Sequence, residues 1–207
     1  MSYRDVLSPA VARGSVRTLA RDEELPQLRD HLLRLDPESR HDRFHGFMHA
    51  SFIERYAAKC ASDGTIVIAY LENGEVRGAA ELHPPDQSSG SEPEIAFSVE
   101  RGLRRRGVGT ALFCKLIDEA RARGYRSLRV TTGAQNEAMR ALANKFGAHL
   151  RFRHGESTGS IDLSEIAPAE PERSAMATPF APLGAVADFN RAYWRFVLAL
   201  YGWRTAA

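Results

Sequence analysis

An α+β fold, an α/β/α sandwich whose mixed and mostly antiparallel sheet has six or seven strands flanked by helices, is what this 207-residue chain predicts. Three observations predict it. From Pro93 to Gly147 the chain reads without interruption as strand, glycine-rich turn, long helix, strand and helix. Upstream, two strand patterns flank Asn73-Gly74, a pair that accepts positive φ and so signals a tight hairpin. Ahead of both lie three helical patterns.

Taken in order, Met1 to Gly14 shows little periodicity, and Val16 to Leu19 is a candidate first strand. Asp22 is read as the cap of a helix whose apolar face is Leu25, Leu28, Leu32 and Leu35, with Pro26 in its first turn. Asp36-Pro37-Glu38 restarts a helix, Asp36 as cap and Pro37 at the first position. Ser51-Phe52-Ile53-Glu54 has the form of a capping box for a third helix through Cys60. Thr65 to Leu71 and Glu75 to Leu82 are strands two and three, and His83 to Ser91, rich in Pro, Ser and Gly, is a loop.

The strand Glu94 to Val99 places Ile95, Phe97 and Val99 on one face and Glu94, Ala96 and Ser98 on the other. After Gly109, Leu112, Leu116, Ile117 and Ala120 recur at helical spacing, with Gly124 as a stop. Arg126 to Thr132 is a strand with Leu128 and Val130 inward. Asn136 opens a helix with the face Met139, Leu142, Ala143 and Phe146, closed by Gly147. Leu150 and Phe152 alternate in a further strand, and Gly159 to Leu163 suggests the last.

The character changes at Ala167. Residues 1–166 are expected to form one domain, 167–183 a proline-punctuated linker, and 184–203 a C-terminal helical extension. In that extension Val186, Phe189, Tyr193, Phe196 and Leu200 recur at intervals of three and four. So aromatic a face needs cover, from its own domain, from a second copy in a homodimer, or as a lid over an acceptor groove.

Composition narrows the function classes. A hydrophobic fraction of 43% with 26% charged residues suits a soluble globular chain. A net charge of +2 is too small for a nucleic-acid binder. The arginines instead cluster at 101–106 and 121–129. No apolar run of about twenty residues is available to span a membrane. The start carries no apolar signal core and only Cys60 and Cys114 occur, so a cytoplasmic, reduced protein is expected. His41, His45 and His49 would share one face if a helix ran through them, yet no carboxylate or cysteine at ligand spacing joins them, and no metal is expected.

The helix start at 107–110 carries the chemistry. First-turn N–H groups lack internal partners and sit at the positive end of the helix dipole, which favours phosphate. Gly107 and Gly109 permit close approach of a pyrophosphate, and Arg104, Arg105 and Arg106 offer countercharge.

Arg104-x-x-Gly107-x-Gly109, between a strand and a helix, resembles the acetyl-CoA signature of the GNAT superfamily of N-acetyltransferases. Asn136 before a helix ending Lys145-Phe146-Gly147 is similar to the superfamily's following motif. Leu35-Asp36-Pro37-Glu38-Ser39-Arg40, with Phe44 and Phe47, resembles the start of GNAT domains in bacterial protein-lysine acetyltransferases. The resemblance implies that acetyl-CoA is the co-substrate, contacted by Phe97, Val99, Arg104, Arg105, Arg106, Gly107, Val108, Gly109, Thr110 and Asn136. It also implies that the strand around Val99 splays from the strand 128–132, freeing backbone N–H groups for pantetheine and, at Val99, for the thioester oxygen.

N-acetylation needs a neutral amine, a path for its proton, and donors to the developing oxyanion. Several GNAT protein acetyltransferases place a catalytic glutamate at the position matching Glu94, and Glu81 on the preceding strand is the competitor. Many members carry a tyrosine on the helix after the asparagine to protonate the leaving thiolate; here Ala143 holds that register. The leading expectation is therefore an acetyl-CoA-dependent N-acetyltransferase acting on a primary amine, a small molecule or a protein lysine. The alternative is an acyl-CoA-binding sensor of the same fold without catalysis.

Overall fold

The structure is a computed structural model that describes residues 13–85 and 91–166. The expected linker 167–183 and the helix 184–203 lie outside the described residues. Its elements are β1 (Ser15–Thr18), α1 (Arg21–Arg34), α2 (Pro37–Phe44), α3 (Ala50–Ser62), β2 (Ile66–Glu72), β3 (Glu75–His83), β4 (Glu94–Val99), α4 (Val108–Ala122), β5 (Ser127–Gly133), α5 (Glu137–Lys145), β6 (Arg151–Arg153) and β7 (Glu156–Asp162). A 3-10 turn, Arg101–Leu103, leads from β4 toward α4.

The strands form a seven-stranded sheet in the order β1-β2-β3-β4-β5-β7-β6. Every neighbouring pair is antiparallel except β4 and β5. Each face buries its own core. On one, Val67, Ala69, Val76 and Ala79 meet Leu25, Leu28, Leu32, Phe44, Ile53 and Cys60 of α1–α3. On the other, Ile68, Leu82, Ile95, Leu128 and Val130 meet Leu112, Phe113, Leu116, Met139 and Ala143 of α4 and α5. The period of two along each strand thus assigns alternate residues to different helices.

Local chemistry sets several boundaries where expected. The Asp36 carboxylate accepts from the Ser39 backbone N–H at 3.0 Å, with Pro37 at the first helical position. Asn73 (φ 54) and Gly74 (φ 81) make the hairpin turn between β2 and β3. Asn136 caps α5 by accepting from Met139 N at 3.0 Å.

Three expectations are corrected. The N-cap of α1 is Ala20 and not Asp22. The anchor there is Glu24, which accepts from Ala20 N at 2.8 Å while paired with Arg17, and the earlier start puts Pro26 in the second turn. In α3 the cap is His49, because Phe52 N and Ile53 N both donate to the His49 carbonyl; Ser51 and Glu54 lie inside the helix and are exposed. The histidine stripe does not form, since α2 ends at Phe44 and His45 turns the chain with φ 55.

Candidate functional site

The ladder between β4 and β5 consists of Glu94↔Arg129 and Ile95↔Val130, and then stops. On its other edge β5 pairs with β7 along its whole length, from Ser127↔Asp162 to Gly133↔Glu156. Arg129 N donates to Pro93 O at 2.8 Å, and Glu100 N donates to Arg77 O on β3 at 3.1 Å. With a backbone period of two, the odd-numbered residues of β4 turn their N–H and C=O groups toward β5. The N–H groups of Phe97 and Val99, beyond the last ladder pair, therefore face an opening. An aromatic stack shapes one side of it: Phe97 lies on Phe113 (5.1 Å, 9°), and Phe113 on Phe146 (4.1 Å, 6°).

Through this opening runs a cleft of about 680 Å³, open mouth included, whose walls come from both faces of the sheet. Phe97, Thr132, Asn136 and Met139 line it on the α4–α5 side, and Glu94, Thr131, Arg43, His45, Tyr56 and His83 on the α2–α3 side. The Thr131 and Thr132 hydroxyls are buried and have no hydrogen-bond partner among the described residues. Buried polar atoms cost stability unless paired, so these two are suited to a polar ligand.

The glycine-rich turn lies at the N-terminus of α4. Gly107 is its cap, in the left-handed region with φ 85. The first intrahelical bond is Ala111 N to Gly107 O at 2.9 Å, so the N–H groups of Val108, Gly109 and Thr110 have no acceptor within the helix. A Cβ on Gly109 would meet Leu142 Cδ2 at an ordinary 3.5 Å, so packing within the chain does not require glycine there. Lys145 Nζ lies 3.3 Å from Thr110 Oγ1, and Arg105 and Arg106 are exposed nearby in sequence. Arg104 turns away from them, donating to Val99 O at 3.3 Å and to Ser39 Oγ at 2.6 Å, which ties α2 to the end of β4.

The polar side of the cleft is organised by Glu81. This carboxylate is fully buried and lies behind the cleft wall, accepting from Arg43 Nη2 at 2.7 Å and from the Tyr56 hydroxyl. His83 Nε2 is 3.5 Å from the same oxygen. Burial by itself would raise the Glu81 carboxyl, but Arg43, then His83 and Tyr56, more than offset it and hold it at about 2. Glu94 is different: half-buried, it opens into the cleft directly opposite His83 in the β3–β4 ladder. Of the two candidate carboxylates, only Glu94 lines the cleft. His45 Nδ1 lies 3.4 Å from Glu156 Oε1, and burial, aided by Arg43, lowers its basicity despite Glu156 and Glu94.

A family model described as the acetyltransferase (GNAT) family matches residues 25–148. The chain belongs to the GNAT family. Solved structures share the fold. The GNAT domain of S. lividans PAT aligns with a TM-score of 0.61 at 21% identity, over 72% of this chain and 90% of that one. The yncA protein of Salmonella typhimurium, solved with its cofactor acetyl-CoA, gives 0.55 at 19%, over 77% and 99%. Spermidine N-acetyltransferase from Vibrio cholerae, in complex with CoA and spermine, gives 0.57 at 13%, over 74% and 98%.

In this GNAT chain Ala143 is fully buried in the α4–α5 core and does not reach the cleft. Arg43, Tyr56, His83 and Thr131 belong to the cleft but were not singled out by sequence reasoning. His83 carried a usable signal, since it stands two residues after Glu81 and so shares its face. Among the described residues no cluster of three or more His, Cys, Asp and Glu could hold a metal, and no helix is long and apolar enough to cross a membrane.

Proposed function

We propose that this chain transfers an acetyl group from acetyl-CoA to a primary amine, a protein lysine or a small polyamine, with Glu94 as the general base. The observation that carries the reading is the interrupted β4–β5 ladder: a cleft crosses the sheet there, with main-chain donors on one wall and Glu94 on another.

The residues fit the donor. The unbonded N–H groups of Val108, Gly109 and Thr110, with Arg105, Arg106 and Lys145, suit its pyrophosphate. The N–H groups of Phe97 and Val99 and the Thr132 hydroxyl suit the amide-bearing arm, while Asn136 and Arg104 act through the elements they tie down. When bound, acetyl-CoA supplies an activated acyl group. The chain does the rest. An amine with an ordinary pKa near 10.4 arrives protonated, and Glu94 removes its proton at the cleft. Val99 N–H donates to the developing oxyanion, and as the C–S bond breaks CoA leaves as a thiolate that takes the second proton lost by the amine nitrogen. Glu81 keeps Arg43 and Tyr56 in place behind the acceptor side.

In this reading residues 1–166 are the catalytic domain, 167–183 a linker and 184–203 a helix that covers its own domain, pairs with a second copy or closes over the acceptor groove. The cytoplasm suits Cys60 and Cys114, which form no disulfide. The test is calorimetry with acetyl-CoA followed by labelled acetyl transfer to amines and lysine peptides. Saturable binding with transfer to an amine is expected. Absence of binding overturns the reading, and binding with no transfer to any acceptor identifies a sensor instead.

A further inference from the structure

Arg104 opens the run of three arginines, yet the backbone sets it apart from the other two. Arg105 occupies the left-handed region with φ 59 and Gly107 does so with φ 85, which bends the chain between Arg104 and the start of α4. Arg105 and Arg106 are exposed, whereas Arg104 is half-buried against β4 and α2. Its Nε donates to Val99 O at 3.3 Å and its Nη2 to Ser39 Oγ at 2.6 Å. Ser39 is 4% exposed and donates its own hydroxyl proton to the Asp36 carboxylate, which leaves its oxygen lone pairs for Arg104. Arg101 pairs with Asp36 and Glu38, so the first turn of α2 is tied to the turn after β4 a second time.

Val99 is where this contact matters. Its N–H and C=O both turn toward the opening, past Ile95↔Val130, the last pair with β5. On the far side of the peptide that joins Val99 to Glu100, Glu100 N donates to Arg77 O at 3.1 Å. That one peptide is thus held at its carbonyl by Arg104 and at its N–H by β3. Its neighbours are fixed as well: Arg77 Nε reaches Glu100 Oε2 at 2.5 Å, and His31 Nε2 lies 2.9 Å from Ser98 Oγ. Without Arg104, Val99 O would present the negative end of an unbonded carbonyl beside the N–H that receives the oxyanion.

We infer that Arg104 is a positioning residue, supplying Val99 O with the donor that β5 no longer provides and so holding Val99 N–H on the developing oxyanion. This rests on the proposed acetyl transfer. The same guanidinium fastens α2, whose Asp42 and Arg43 line the acceptor side of the cleft, to the strand end that faces the thioester. The pyrophosphate is left to Arg105, Arg106, Lys145 and the backbone N–H groups of α4. Both acceptors of Arg104 are neutral oxygens, so the task requires an N–H donor at this position and not a full charge.

The test uses the full chain with acetyl-CoA and an amine acceptor. Arg104→Met keeps the apolar stem and removes every donor, while Arg104→Gln keeps a neutral donor and removes the charge. Arg104→Met is expected to lower kcat about tenfold, less than the loss of an oxyanion donor itself. Its calorimetric Kd for acetyl-CoA should stay within about twofold of wild type, with the same salt dependence, because no phosphate contact is lost. Arg104→Gln should retain most of the wild-type kcat. Ser39→Ala, outside the cleft lining, should lower kcat severalfold by releasing one end of the guanidinium. A weaker and less salt-dependent affinity for acetyl-CoA in both Arg104→Met and Arg104→Gln would make Arg104 a phosphate ligand and overturn the inference, as would wild-type kcat in Arg104→Met. Should Arg104→Met fail to fold, Ser39→Ala decides, and wild-type kcat there overturns it. Wild-type transfer itself reports on the functional reading, so the two failures are separate.

Discussion

Replacing Glu81 with glutamine separates the two carboxylates that the strand pattern left in competition. Glu81 is buried against Arg43, whose side chain is 8% exposed, at 2.7 Å. A carboxyl held at about 2 and not at the ordinary 4.5 corresponds to about 3 kcal/mol, at 1.36 kcal/mol per tenfold change in acidity. The cost of removing one partner from a buried ion pair is about 3–5 kcal/mol, which agrees. Glu81→Gln is therefore expected to lose about 3 kcal/mol, or about 6–12 °C in Tm for a chain of this size. Because the folded-state acidity is increased, the stabilisation is complete above the unfolded value near 4.5 and disappears as pH falls toward about 2. Urea unfolding across that range should show wild type and variant converging at low pH and separating above pH 5. A variant within about 1 kcal/mol of wild type at pH 7, or a gap that persists at pH 2, would refute the assignment of Glu81 as the anchor of Arg43 and Tyr56.

Glu94→Gln should leave acetyl-CoA affinity intact by calorimetry while turnover falls about a hundredfold at pH 7, with partial recovery at higher pH as more amine is deprotonated. Gly107→Glu should abolish acetyl-CoA binding, since it puts bulk and negative charge at the α4 N-terminus; Gly107→Ala shares the backbone strain of φ 85 without the charge and should bind better. Arg106→Ala, at an exposed position, should weaken binding only severalfold and more at low salt, as measured by titration at two ionic strengths. Ala143→Tyr should cost about 1–3 kcal/mol by overpacking a fully buried site, seen as a lower Tm, and should not speed turnover.

What the amino-acid sequence determined on its own is the set of features decided within a few residues. Asp36 reaches Ser39, Asn136 reaches Met139, Asn73-Gly74 turns the hairpin, and Gly107 starts α4, because caps and turns close over three or four positions. Alternation along β4 likewise placed Glu94 opposite Ile95 and Phe97. The same local reasoning misplaced the starts of α1 and α3, whose caps are Ala20 and His49, and the left-handed turn at His45 breaks the helix on which His41, His45 and His49 would have shared a face.

The tertiary structure alone decided that the β4–β5 ladder stops after Ile95↔Val130, since how far two strands about thirty-five residues apart stay paired is not carried by either strand's own pattern. It also decided that Glu81 turns under Arg43 and Tyr56 while Glu94 opens into the cleft. Those partners come from α2 and α3, 38 and 25 residues away from Glu81 in sequence. The fate of a buried charge is set by whichever opposite charge and hydroxyl packing brings to it, and no pattern within one strand carries that information.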